Sequence, residues 1–197
     1  MKFAWVDAGD DPSYDVGDRH EIDGYFWPLF DPLTTSANLR DTTMRGHAVG
    51  IYMVTNWQQF IDRSPQQIAK AVADEYNRLA IPGLRVQFDM EEHDPDKVAE
   101  VLEAWRMIKP KVNTSWTMEA GQGGWMSPAF VARITACRVR LVPQLYNGAM
   151  TEVWDALTYA RDLTSRGFPD SIVSPFYDAK HLPRGWDGYA FTIGRLP

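Results

Sequence analysis

Asp89 and Glu91 stand two residues apart in the stretch Arg85-Val86-Gln87-Phe88-Asp89-Met90-Glu91-Glu92-His93-Asp94, a spacing that can do acid–base chemistry on a β-strand. Side chains alternate along a strand, so Gln87, Asp89 and Glu91 share one face and Val86, Phe88 and Met90 the other. The apolar face suits covering helices and the acidic face suits a barrel lumen. Two carboxylates on one face raise one another's pKa, a common way of keeping one protonated acid beside an ionised partner. Asp94-Pro95-Asp96 reads as a helix start, which accounts for Asp94 and leaves Asp89 and Glu91 for a site. A third acid, Asp7, closes the first strand.

Other chemistries lack their residues. No Gly-x-Ser-x-Gly elbow is present for a serine hydrolase. The histidines His20, His47, His93 and His181 are scattered, with no pair at zinc-binding spacing. Gly121-Gln122-Gly123-Gly124 is followed by no Lys-Ser or Lys-Thr and reads as a loop rather than a phosphate cradle. Carboxylates with many aromatic residues (13%, eight of them Trp) and no cofactor motif are what glycoside hydrolysis uses. One acid protonates the leaving oxygen; the other carboxylate serves the cationic transition state or the attacking group. No cofactor and no metal is expected, although a divalent cation held by Asp7, Asp89 and Glu91 is an alternative use of the same acids.

The elements that must position these acids alternate. Strands are expected at Phe3–Asp7, Tyr25–Phe30, Val49–Thr55, the acidic stretch, Val112–Thr117, Val139–Tyr146, Ile172–Tyr177 and Gly188–Ile193. Helices are expected at Thr35–Gly46, from Ser64-Pro65 to Ile81-Pro82-Gly83, from Asp94-Pro95 to Pro110, from Ser127-Pro128 onward, and at Thr151–Arg166. The rhythm predicts an α/β fold: a compact (β/α)8 TIM-type barrel over residues 1–197, one domain with some helices reduced to loops. An open doubly wound sheet competes, but its Gly-x-Gly-x-x-Gly turn is missing. Barrel sites collect where strands end. Those ends supply Asp7, Asp89 and Glu91 as catalytic candidates, and Trp27, Tyr52, Trp57, Trp116, Gln144, Tyr146 and Asp178 as substrate-binding candidates.

With these residues placed, the chain resembles the glycoside hydrolase family 25 (Chalaropsis-type) lysozymes. Val6-Asp7-Ala8 is similar to that family's first acidic strand, and Asp89-Met90-Glu91 to its Asp-x-Glu pair at strand four. Val49-Gly50-Ile51-Tyr52 is similar to its Gly-x-Tyr-His segment, with Met53 in place of the His. Gly9 stands where the family has Ser, and Phe30-Asp31-Pro32 where it has Glu-Gly. The resemblance implies a muramidase-like hydrolase of cell-wall peptidoglycan, of phage lysin or tail-associated type.

Net charge and composition narrow the partners. A charge of −6 argues against a nucleic-acid binder or a basic membrane-surface protein. No stretch is long and apolar enough to cross a membrane, and the N-terminus reaches an acid at Asp7 with no signal-peptide core, so synthesis in a cytoplasm is expected; the family resemblance implies release at lysis or incorporation in a virion. The one cysteine, Cys137, excludes an internal disulfide framework and reads as a buried thiol. The expected partner is a glycan, with a larger parent chain or, as the family resemblance implies, other virion proteins. The competing reading is a non-enzymatic barrel, a structural or carbohydrate-binding component of a virion.

Overall fold

The computed structural model describes residues 2–6, 14–15, 21–54, 60–90, 94–119, 127–144, 165 and 188–192, with backbone alone at positions 2, 118, 119, 141, 143, 144 and 188–192. Seven strands are described: β1 Lys2–Trp5, β2 Gly24–Pro28, β3 Ala48–Val54, β4 Arg85–Asp89, β5 Thr114–Glu119, β6 Arg140–Gln144 and β7 Gly188–Thr192. Between them are four helices of nine residues or more: α1 Ser36–Met44, α2 Pro65–Leu79, α3 Pro95–Ile108 and α4 Pro128–Ala136. All strand pairs are parallel, in the order β6-β5-β4-β3-β2-β1-β7.

The expected closed ring of eight strands is thus described as a seven-stranded sheet with ends at β6 and β7. The strand expected at Ile172–Tyr177 lies outside the described residues, as does the helix expected at Thr151–Arg166 apart from Ser165. The last expected strand is present as β7 and pairs with β1. The second strand ends earlier than expected, because Leu29 and Phe30 turn away from it.

The sheet is strongly curled. Adjacent strands are ~4.8 Å apart, so a flat sheet would hold β1 and β4 roughly 14 Å from each other. Instead the Arg85 guanidinium on β4 lies 4.7 Å from the ring centre of Phe3 on β1, and Trp5 Nε1 on β1 donates to Gln87 Oε1 on β4. Val142 on β6 joins Phe3 and Phe26 in one buried cluster against Trp5, Ala48 and Tyr52. Glycine makes room for the two rings. A Cβ at Gly24 would lie 2.6 Å from Cε1 of Phe3, and one at Gly50 2.5 Å from Cδ1 of Phe26.

The convex face carries the helices, whose starts follow their sequence signals. Ser64 and Gln67 form a reciprocal capping box with Pro65 in the first turn, while Asp94 and Ser127 accept from backbone N–H groups ahead of Pro95 and Pro128. Helix α2 stops at Ala80, which takes the left-handed conformation (φ 52°), before the expected Pro82-Gly83 signal. Ile68, Val72, Leu79, Val98, Val101, Leu102 and Trp105 bury the stripes of α2 and α3 against the sheet. Trp105 meets Phe88 edge-on at 5.5 Å, and its Nε1 donates to Thr114 Oγ1 at 2.9 Å.

Charged groups clamp α3 to α4. Arg106 donates to the Cys137 carbonyl at 2.6 Å and to the Pro110 carbonyl at 2.8 Å. Burial pushes the Cys137 thiol up from its ordinary pKa. Arg133 makes a two-pronged contact with Glu103 at 2.7 and 2.9 Å and reaches Asp96 at 2.8 Å. Its guanidinium holds the Glu103 carboxyl below its ordinary value of 4.5.

Two outcomes follow from this packing. Gly50→Ala should lower stability by about 1–3 kcal/mol, the range for overpacking a filled interior, and so reduce the thermal midpoint; an unchanged midpoint would mean that the Phe26 ring moves freely. Glu103 is stabilising in its ionised form, so its contribution is present above the unfolded-state pKa and lost as pH falls through the lowered folded-state value. Denaturant titrations of wild type and Glu103→Gln should differ most above pH 4.5 and converge as the pH drops further below it.

Candidate functional site

Strand β4 sorts its side chains as the alternation requires. Val86, Phe88 and Met90 are buried in the helix-facing core, which leaves Gln87 and Asp89 on the concave face. Asp89 is half-buried and is the last residue of β4, at the end of the sheet where site-bearing loops gather. It is paired with Val54 on one side and Thr117 on the other, and Gln87 with Tyr52 and Ser115. Ser115 and Thr117 share the concave face, since Thr114 and Trp116 between them contact Trp105 and Phe130 of the helical layer.

A polar floor therefore lies below and beside Asp89. An indole nitrogen can only donate, so the bond from Trp5 fixes which way round the Gln87 amide sits and turns its NH2 group away from the indole. That Gln87 Nε2, like Thr117 Oγ1 on the next strand, is buried with no hydrogen-bond partner among the described residues. A buried polar group left unpaired costs about 1–3 kcal/mol, and such groups in a concave site are suited to binding an oxygen atom. Tyr52, half-buried on the same face, donates from its hydroxyl to the Val6 carbonyl at 3.1 Å. This bond crosses β2 and anchors the chain one residue before Asp7.

Of the expected site residues, Asp89 and Tyr52 are thus brought to one concave face. Trp27 and Trp116 are not. Trp27 is 1% exposed and Trp116 0% exposed, both within the helix-facing core. Trp116 pairs in register with Phe88, so it takes the same face, where its ring lies 5.8 Å from Phe130 and its Nε1 donates to the Met90 carbonyl at 3.2 Å. Neither ring is available for stacking on a sugar. Gln144 ends β6, paired with Glu119, with only its backbone described. Asp7, Trp57, Glu91, Tyr146 and Asp178 lie outside the described residues.

Sequence reasoning missed the Trp5–Gln87 pair and Thr117. Parity was the available signal: Gln87 is two residues before Asp89, and Thr117 is the register partner of Asp89. Among the described residues no three His, Cys, Asp or Glu side chains converge as metal ligands, and no helix is long and apolar enough to cross a membrane.

No family profile matches the chain, and no curated protein matches it by sequence. Its fold is similar to that of the ICChI chitinase from Ipomoea carnea, with a TM-score of 0.59 and 12% identity over 98% of this chain and 94% of that one. It is also similar to the modular autolysin LytC from Streptococcus pneumoniae, with a TM-score of 0.54 and 15% identity over 78% of this chain. A structure of that autolysin with a synthetic peptidoglycan ligand gives a TM-score of 0.53 and 15% identity. The matched part spans 39% of the autolysin's length. At such identities the likeness is one of fold: the chain has the curled parallel α/β architecture also found in an autolysin and a chitinase.

Proposed function

We propose that this chain is a glycoside hydrolase-like domain that cleaves the glycan strands of cell-wall peptidoglycan, on a (β/α)8 barrel completed by a strand at Ile172–Tyr177. The observation that carries the reading is the place of Asp89, a carboxylate at the C-terminal end of β4 on the concave face above the Gln87 and Thr117 floor. The fold shared with an autolysin and a chitinase supports the substrate class.

In this reading Glu91, next on the Asp89 face by alternation, is the general acid. It gives its proton to the glycosidic oxygen as the bond to the anomeric carbon breaks, and the departing sugar leaves as an alcohol. Asp89 and Asp7 remain negative and stabilise the positive charge that develops on the sugar ring, until water adds its oxygen to the anomeric carbon and returns a proton to the Glu91 carboxylate. Tyr52 both contacts the sugar and holds the strand that leads to Asp7, while Trp57, Tyr146, Gln144 and Asp178 line the remainder of the groove. Peptidoglycan walls often carry negative charge, and so does this chain, at −6. Attraction to the wall then has to come from another part of a larger chain or assembly, as in a phage-borne hydrolase.

Glu91→Gln keeps the shape and removes the proton donor. Hydrolysis of purified peptidoglycan should fall roughly 10²-fold or more, the scale of general acid catalysis, with no loss of thermal stability. Release of reducing ends at the wild-type rate would exclude Glu91 as the acid, and a folded wild-type protein that releases none would exclude hydrolysis.

A further inference from the structure

Phe30 has a backbone conformation that its side chain disfavours. Its φ is +64°, in the left-handed region where a bulky residue is strained and glycine is not. It is the third residue of a turn closed by the Asp31 N–H on the Pro28 carbonyl at 3.4 Å, the position at which such a turn favours glycine. The turn is held from two further sides, by the Leu33 N–H on Asp31 Oδ1 and by the Thr34 hydroxyl on the Pro28 carbonyl, each at 2.7 Å. The strained residue is thus fixed in place, a pattern that points to function when the side chain itself is not part of the core.

That side chain is 42% exposed. Its ring lies 5.9 Å from the ring of Phe60, tilted by 41°. Phe60 is fully buried and carries the Arg63 guanidinium 5.7 Å from its centre. Ile61, next to it, is 50% exposed, and Asp62 and Arg63 are exposed as well. Phe30 follows β2 and Phe60 follows β3, so both stand at the end of the sheet where Asp89 lies. Among the described residues the other large exposed apolar ones, Met44, Met107 and Ile108, are at the C-terminal ends of α1 and α3, the opposite end.

We propose that Phe30, packed on Phe60, is a glycan-binding subsite that stacks on the apolar face of one pyranose ring, away from the bond being cleaved. It rests on the glycan-hydrolysing reading above and deepens it. A half-exposed phenyl ring backed by the buried ring of Phe60 suits the apolar face of a sugar, whose CH groups meet the ring, while the exposed Asp62 and Arg63 follow Phe60 in the chain. Among the described residues the exposed apolar surface here is that of Phe30 and Ile61, far smaller than the roughly 1,000 Å² that a stable protein interface needs.

The test is calorimetric titration of chitotetraose, a neutral β-1,4-linked tetramer of N-acetylglucosamine, into wild type, Phe30→Gly and Phe30→Trp, with thermal midpoints for each. Phe30→Gly should weaken binding roughly 10-fold while leaving the midpoint unchanged or higher, since glycine accepts the backbone conformation. Phe30→Trp should bind as tightly as wild type or more so. Equal affinity for wild type and Phe30→Gly would overturn the subsite, as would a lowered midpoint in Phe30→Gly, which would make Phe30 a packing residue. Absence of chitotetraose binding to wild type would overturn it too. Failure of the parent reading appears separately, as folded wild-type protein that hydrolyses no peptidoglycan.

Discussion

The whole arrangement depends on how the concave side of the sheet is filled. Phe3 and Phe26 are large, and they fit only because Gly24 and Gly50 present no side chain where the rings lie. Those rings, with Val142, occupy the interior at the start of the strands, so the sheet can bend far enough for β1 to meet β4 without leaving a void. Arg85 lies over Phe3 in this layer, and uncharged polar side chains and Asp89 follow toward the other end. Trp5, Gln87, Thr117 and Asp89 succeed the aromatic layer along the strands.

The site inherits its geometry from strand parity and register. Because β4 is buried on its convex side by Phe88 against Trp105, it has no freedom to slip by one residue; a slip would put Asp89 among the helices. The same rule removes Trp27 and Trp116 from the site, for they stand on the convex side with Tyr25 and Phe88. Helical packing and carboxylate placement are thus a single constraint. The bond from Tyr52 to the Val6 carbonyl extends it across the lumen toward the first strand.

Much of this was legible in the residues. Ser64 with Gln67, and Pro65, Pro95 and Pro128 after their caps, marked helix starts because each satisfies backbone groups locally. Alternation in β4 placed Asp89 correctly for the same reason: it needs no knowledge of distant strands. What was not legible is set by tertiary contacts. An aromatic residue type does not reveal its face, so Trp27 and Trp116 read like Tyr52 until register is known. Nothing in the sequence of Phe30 signals a left-handed residue, since that conformation is imposed by the turn around it. The nesting of Phe26 against Gly50 likewise needs the pairing of β2 with β3.

Cys137 has a use beyond the fold. It is the chain's one thiol, it is 3% exposed, and its backbone carbonyl is tied to Arg106 of the neighbouring helix. Burial both hides it and keeps it protonated, so an alkylating reagent meets a reactive thiolate only when α4 separates from α3. The rate of its modification is therefore a clock for opening of that helix pair, built into the native chain without any engineered label, and it reads motion at the end of the helical layer away from Asp89.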